Sequence, residues 1–218
     1  MGSEVTPNLI AFARSGTVSS SPSVITQAGL IILFFFIYIM RLIIVRHGQT
    51  SSNANSIVTG QMHGKLTKKG RKQIKDLALQ LKNKKIEVIF SSDLQRAKDT
   101  AKEIVRFHKT PIYYMREIRE RNLGILEGRP REELFKVQKD SGRSTAKFRP
   151  EDGESFVDVK KRARIFLNKI SKKYESKTVL IVSHSGFIKM LRSAVLKIPI
   201  EKAIEKKIEN AKVYFLRF

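Results

Sequence analysis

Residues 41–50, Arg-Leu-Ile-Ile-Val-Arg-His-Gly-Gln-Thr, join a short β-branched run to a histidine set between arginine and glycine. Residues 178–186, Thr-Val-Leu-Ile-Val-Ser-His-Ser-Gly, share that design. Continuous apolar runs of this length, Arg41–Val45 and Thr178–Val182, fit strands buried on both faces, as parallel sheets require. Between and around them lie helical patterns. Thr67 is a plausible N-cap for a helix whose stripe is Ile74, Leu77, Ala78 and Leu81. Ile86–Ser91 reads as a second strand. Asp93 or a nearby serine caps a helix with the stripe Leu94, Ala97, Ala101, Ile104 and Val105. Pro111–Met115 is a third strand, followed by an irregular loop over 119–128 and a polar, Pro- and Gly-broken stretch over 129–153 that reads as a lid-like insertion. A long helix then carries Phe156, Val159, Ala163, Phe166, Leu167, Ile170 and Tyr174 on one face. A further helix starts near Phe187, and Ala211–Phe218 closes as a strand. This alternation predicts an α/β fold: a three-layer α/β/α sandwich with a mostly parallel central sheet. Ligands of such sheets sit at the carboxyl ends of the strands, so His47 and His184 point at one rim.

Composition bounds the rest. At roughly 100–200 residues per domain, 218 residues give one compact domain, 40–218, plus an extension, 1–39. The absence of cysteine excludes a disulfide scaffold, thiolate zinc sites and a cysteine nucleophile. The formal net charge is +23, and residues 1–39 contribute nothing to it, because Glu4 and Arg14 cancel. Partners and substrates are therefore expected to be anionic. Residues 1–23 are rich in Ser, Thr, Gly and Pro and read as disordered; residues 28–40 are wholly apolar. A membrane span wants about 20 such residues, so the run is borderline. Three readings stand: Met40 as the biological start of a cytoplasmic protein, a membrane anchor formed by residues 24–40, or a signal peptide without a small-x-small cleavage site.

No P-loop, Gly-x-Gly-x-x-Gly or His-Glu-x-x-His motif occurs, no His pair lies at i,i+4, and no metal site is built by the spacing. Two strand-end histidines beside arginines point instead to an anion-holding pocket containing a nucleophile. A neutral imidazole attacks phosphorus well near neutral pH. A guanidinium holds phosphoryl oxygens in bidentate fashion, and a carboxyl group is needed to protonate a departing alkoxide.

Arg46-His47-Gly48-Gln49-Thr50 with Asn53 resembles the signature of the histidine phosphatase superfamily, in its phosphoglycerate-mutase-like branch. The likeness continues in order through Leu66-Thr67-x-x-Gly70, Ser91-Ser92-Asp93-Leu94-x-Arg96-Ala97, Glu120-x-x-x-Gly124-x-x-Glu127-Gly128, Gly153-Glu154-Ser155 and Ser183-His184-Ser185-Gly186. The resemblance implies that His47 attacks the substrate phosphorus. Arg46, Arg96 and His184 would hold the phosphoryl oxygens, and Asn53 would add a hydrogen bond. Glu120 would protonate the leaving oxygen. Gln49, Thr50, Gly60, Gln61 and Ser185 complete the candidate phosphate-binding set. Two arginines and a protonated His184 would supply the positive charge with no metal and no cofactor. Where relatives often carry an acidic residue and a proline, this chain has His63 and Lys65, and Ser185 stands where glycine is frequent; these changes touch substrate choice. The implied activity is hydrolysis of small phosphomonoesters, with a phosphoglycerate mutase using the same phosphohistidine as the alternative. A basic nucleic-acid binder with a degenerate site is a third reading, but aromatic residues are not interleaved with the basic runs, so no specific nucleic-acid partner is expected. His63 and His108 read as surface residues.

Overall fold

The computed structural model describes residues 39–218. The expectations for residues 1–38 (a disordered stretch, an anchor or a signal peptide) lie outside the described residues. Met40 is inside them: its N–H donates to the Phe218 carbonyl at 2.8 Å, and its side chain is buried.

The period-2 alternation of the strands builds two cores. In β1 (Arg41–Arg46), Leu42 and Ile44 join one core while Ile43 and Val45 join the other. β2 (Val88–Ser92) divides Val88 and Phe90 from Ile89, and β4 (Thr178–Ser183) divides Val179 and Ile181 from Leu180 and Val182 in the same way. Burying each such side chain is worth about 1.5–3 kcal/mol, so every strand residue here favours the sandwich. The five-stranded sheet has the order β3-β2-β4-β1-β5, with β3 spanning Ile112–Met115 and β5 Val213–Arg217. All neighbouring pairs are parallel except β1 with β5, which pairs antiparallel at the edge.

Helices cover both faces. α1 is a single turn, Ser51–Ala54, in the loop after β1. α2 (Lys68–Leu81) and α3 (Gln95–Val105) pack on the face of Ile43 and Val45. Thr67 caps α2, accepting from the Gly70 N–H at 2.9 Å. α4 is Arg131–Asp140. α5 (Phe156–Ser171), α6 (Ser185–Val195) and α7 (Ile200–Glu205) form the other layer. Among the described residues no helix is long and apolar enough to cross a membrane.

Several local expectations shift. β2 begins at Val88, two residues late. Asp93 does not cap α3: Leu94 is the N-cap residue, the Ser92 hydroxyl accepts the Leu94 N–H, and the Asp93 carboxylate instead takes Arg119 Nε at 2.6 Å. α6 begins at Ser185 rather than Phe187, and α7 falls in a stretch for which no helix was predicted. The 129–153 stretch is not irregular throughout, since α4 occupies its first half.

Candidate active site

Strand register places the two histidines. Arg41 to Arg46 pair one-to-one with Thr178 to Ser183, so the next residue of each strand, His47 and His184, leaves the sheet at the same level. The His47 N–H donates to the Ser183 carbonyl at 3.1 Å, and the ring centroids lie 5.0 Å apart. Arg96, in the first turn of α3 above neighbouring β2, runs its side chain under both rings and is 2% exposed.

Arginine Nε has no lone pair, so its contacts fix the imidazole tautomers. Arg96 Nε donates to His184 Nδ1 at 3.2 Å and to His47 Nε2 at 3.3 Å. His184 therefore accepts at Nδ1 and keeps its proton on Nε2, which faces the Ser92 hydroxyl at 2.8 Å. His47 Nδ1 sits 2.7 Å from the Gly48 carbonyl, which can only accept. That nitrogen carries the proton, and Nε2 keeps the lone pair that meets the Arg96 Nε–H. Desolvation, reinforced by the charges of Arg96 and Arg46, holds the pKa of both rings well below the ordinary value. This runs against the expectation of a protonated His184: burial and the Arg96 guanidinium, which donates to its Nδ1, both favour the neutral ring. Arg96 itself falls to about 10, chiefly by desolvation, and remains charged at neutral pH. Its Nη1 and Nη2 donate to the carbonyls of Met62 and Gly60 at 2.8 and 2.7 Å.

Glu120 lies beyond β3 and a 3-10 turn, Arg116–Ile118. Its carboxylate accepts the Arg121 N–H at 2.8 Å and the Gly186 N–H at 3.1 Å, the latter in the first turn of α6. A Cβ on Gly186 would stand 2.4 Å from Glu120 Oε1, so only glycine allows this approach. Arg162 of α5 buttresses the same loop, donating to the carbonyls of Glu117, Arg119 and Glu120 at 2.8–3.0 Å. Glu154 holds Arg162 in an ion pair at 2.9 Å and accepts the Asn122 N–H.

These groups open into a cavity of about 400 Å³, within the range of small-ligand sites. Of the residues expected from sequence, Arg46, His47, Asn53, Gly60, Arg96, Glu120 and Ser185 line it. His184 sits behind Arg96. Gln49, Thr50 and Gln61 are not on its wall. The Gln49 side chain accepts from the Thr67 hydroxyl, Thr50 caps α1 through Asn53, and Gln61 Nε2 holds the Glu120 carbonyl at 3.0 Å. Arg46 Nε and Thr59 Oγ1, both on the wall, are buried without a hydrogen-bond partner among the described residues. Buried polar atoms are nearly always satisfied, so these two are suited to a ligand's oxygens. One face of α4, with Arg131, Leu134, Phe135 and Gln138, forms the outer wall. Arg121 fastens this flap: it donates to the Phe148 and Glu154 carbonyls at 2.8 and 2.7 Å and lies 4.4 Å over the Phe156 ring.

Sequence reasoning did not find Ser92, Arg121, Arg131, Arg162, Lys189 or Asn210. Asn210 Nδ2 donates to the His47 carbonyl at 2.9 Å and to Asn53 Oδ1 at 3.2 Å, tying the chain before β5 to the loop after β1. A serine at a strand end was a visible signal for Ser92; nothing local marked the others.

A family model described as the histidine phosphatase superfamily (branch 1) matches residues 42–218. The chain belongs to this superfamily. Among curated relatives of this histidine phosphatase, the metal-independent phosphoserine phosphatase of Arabidopsis thaliana is 32% identical over 184 residues, covering 80% of this chain and 75% of the relative. Phosphoglycerate mutase-like protein 4 of the same plant is 32% identical over 157 residues, covering 69% and 68%. The structure of mycobacterial glucosyl-3-phosphoglycerate phosphatase complexed with VO3 superposes with a TM-score of 0.73 at 29% identity, over 80% of this chain and 90% of that one. Phosphoserine phosphatase of Entamoeba histolytica in complex with 3-phosphoglyceric acid gives 0.72 at 27% identity, over 81% and 89%.

Proposed function

We propose that this histidine phosphatase hydrolyses small phosphomonoesters through a phosphohistidine on His47, without a metal. The observation that carries the reading is the orientation of His47: Nδ1 is protonated against Gly48, and Nε2 keeps its lone pair, met by the Arg96 Nε–H, on a cavity that Arg46 and Glu120 also line.

In the first step Nε2 forms a bond to phosphorus as the ester P–O bond breaks. The transition state spreads negative charge over the phosphoryl oxygens. Arg46 and Arg96 offset that charge, and the burial of both guanidiniums keeps water from screening it. Asn53 and Ser185 line the same cavity and would donate to the same oxygens. Glu120 delivers a proton to the departing alkoxide, then takes one from the water that attacks the phosphohistidine. Phosphate leaves and His47 returns to its neutral form. Neutral His184 shares the Arg96 Nε donor and, through Ser92, holds that guanidinium and the His47 ring at fixed separation; it positions rather than charges the site.

Relatives named as phosphoserine and glucosyl-3-phosphoglycerate phosphatases support hydrolysis, and the name of the former, a metal-independent enzyme, supports metal independence. The test is phosphate release from p-nitrophenyl phosphate with and without EDTA. A parallel reaction supplies 3-phosphoglycerate with a 2,3-bisphosphoglycerate primer. Release unaffected by EDTA and abolished by His47→Ala is expected. Fast isomerisation of phosphoglycerate with negligible phosphate release would make the protein a mutase instead.

A further inference from the structure

Between α7 and β5 the chain runs back across the end of β1 and is bonded there to the residues that carry the nucleophile. The Ala211 N–H donates to the Arg46 carbonyl at 2.9 Å and to the His47 carbonyl at 3.3 Å. Arg46 Nη1 donates to the Ile208 carbonyl at 2.7 Å. Ala211 holds a φ of 52°, in the left-handed region that an alanine enters only at a cost. Backbone strain of this kind persists where the surrounding contacts fix it, and it gathers at working parts of proteins. The side chain beside this turn is Asn210.

Asn210 closes a circuit in which every amide orientation is fixed. Its Nδ2 carries two hydrogens and meets two acceptors, the His47 carbonyl at 2.9 Å and Asn53 Oδ1 at 3.2 Å. A backbone carbonyl can only accept, so the nitrogen of Asn210, not its oxygen, faces His47. Asn53 Oδ1 in turn accepts the Thr50 N–H at 3.3 Å. A backbone N–H can only donate, so the oxygen of Asn53 lies on this side and its NH2 group on the other. Among the described residues that NH2 group has no acceptor. Asn53 lines the cavity that holds His47, whereas Asn210 lines only an adjoining one.

Phosphoryl oxygens only accept, so a carboxamide serves them through its nitrogen and repels them through its oxygen. The two ends are nearly equal in size and the last torsion of asparagine is broad, so shape does not choose between them. The donors at Oδ1 make the choice. The Thr50 bond is long, and it belongs to α1, a single turn none of whose residues is buried. The Asn210 bond is the one that reaches Asn53 from outside that turn.

We propose that Asn210 is a positioning residue for phosphoryl transfer: by occupying Asn53 Oδ1 it keeps the Asn53 NH2 group turned toward the phosphoryl oxygens. The inference rests on the phosphatase reading at His47 and on Asn53 as a donor to the bound phosphoryl group. Asn210 itself touches no substrate. Without it Asn53 keeps one long bond and samples the reversed amide. The Ala211 N–H still holds the Arg46 and His47 carbonyls, so the backbone of the loop stays in place.

The experiment is a double-mutant cycle on the full chain. Asn210→Ala, Asn53→Ala and the double variant are compared with wild type in kcat and KM for p-nitrophenyl phosphate, and in the dissociation constant of orthovanadate by calorimetry. Asn210→Ala should lower kcat/KM about tenfold, mainly through kcat, and weaken vanadate by a similar factor. Asn53→Ala should lower both further. In the Asn53→Ala background, removing Asn210 should cost less than about twofold, because the group it acts on is gone. Asn210→Leu, a near-isostere without the donor, should repeat the alanine result, and it replaces the alanine variant if circular dichroism shows that one unfolded. Losses that multiply independently make Asn210 a support of the fold alone and overturn the proposal. Wild-type kcat/KM in both Asn210 variants, or in Asn53→Ala, overturns it too. The vanadate arm separates this inference from the catalytic one. Coupled losses of vanadate affinity with no wild-type turnover of any ester sink the phosphatase and uphold the role of Asn210; full turnover with uncoupled losses does the reverse.

Discussion

Lowering the pH from 7 to 5.5 should destabilise the fold by up to about 2.5 kcal/mol through His47 and His184 alone. Both rings are buried and favour the neutral form, because desolvation and the adjacent guanidiniums depress their pKa values. In the unfolded chain each titrates near 6.5. Below that value the unfolded state binds protons that the folded state refuses, so stability is full above pH 6.5 and falls with acidification. For one ring, RT ln[(1 + 10^1.0)/(1 + 10^−0.5)] gives about 1.25 kcal/mol, and two rings give twice that. His108, also lowered by desolvation but only half-buried, adds a smaller loss of the same sign. Carboxylates such as Asp93, depressed by its hydrogen bond from Arg119, are ionised in both states across this window and contribute only at lower pH. The assay is urea unfolding by far-UV circular dichroism, in phosphate-free buffer so that no anion binds the folded state and masks the effect. His47→Gln and His184→Gln should each remove about half of the acid-induced loss. A stability flat from pH 7 to 5.5, or a loss undiminished in both variants, refutes the buried neutral pair.

Gly186→Ala drives a methyl group into the Glu120 carboxylate; kcat should fall about 10²-fold while KM and the circular dichroism spectrum hold. Arg96→Lys loses the fork that reaches two histidines and two carbonyls; steady-state kinetics should show kcat/KM down by about 10²–10³. Gly60→Ala meets a positive φ of 47° and the Glu127 carboxylate; urea unfolding should register a loss of about 1–3 kcal/mol. Because the His47 pKa is depressed by burial, the pH profile of kcat/KM should show no loss from protonation of this ring between pH 7 and 6.

The strands and the rim were legible because parallel, doubly covered strands need continuous apolar runs, and both runs ended in histidine. Arg96 was legible only as part of an ordered motif; on its helix it is a buried guanidinium in the first turn, and amphipathic periodicity alone would leave it in solvent. The site's second layer was hidden for a physical reason. Arg162 reads as the polar face of a helix, yet its guanidinium turns inward to carbonyls 42 to 45 residues away in sequence. Asn210 reaches His47 across 163 residues. Such contacts follow from packing, and no local pattern encodes them. α4 escaped prediction because its first turn follows Pro130 and its face toward the cavity mixes Arg131 and Gln138 with Leu134 and Phe135, blurring the apolar stripe. Gln49, Thr50 and Gln61 stand close to the site in sequence, but their side chains are spent on caps and loop hydrogen bonds.

The most direct test of the account is the phosphoenzyme itself. Protein mixed with p-nitrophenyl phosphate and quenched in alkali within one turnover, then digested and sequenced by tandem mass spectrometry, should carry a phosphoryl group on His47, and His47→Ala protein should carry none. Phosphate release without any labelled peptide, or a label on another residue, contradicts it.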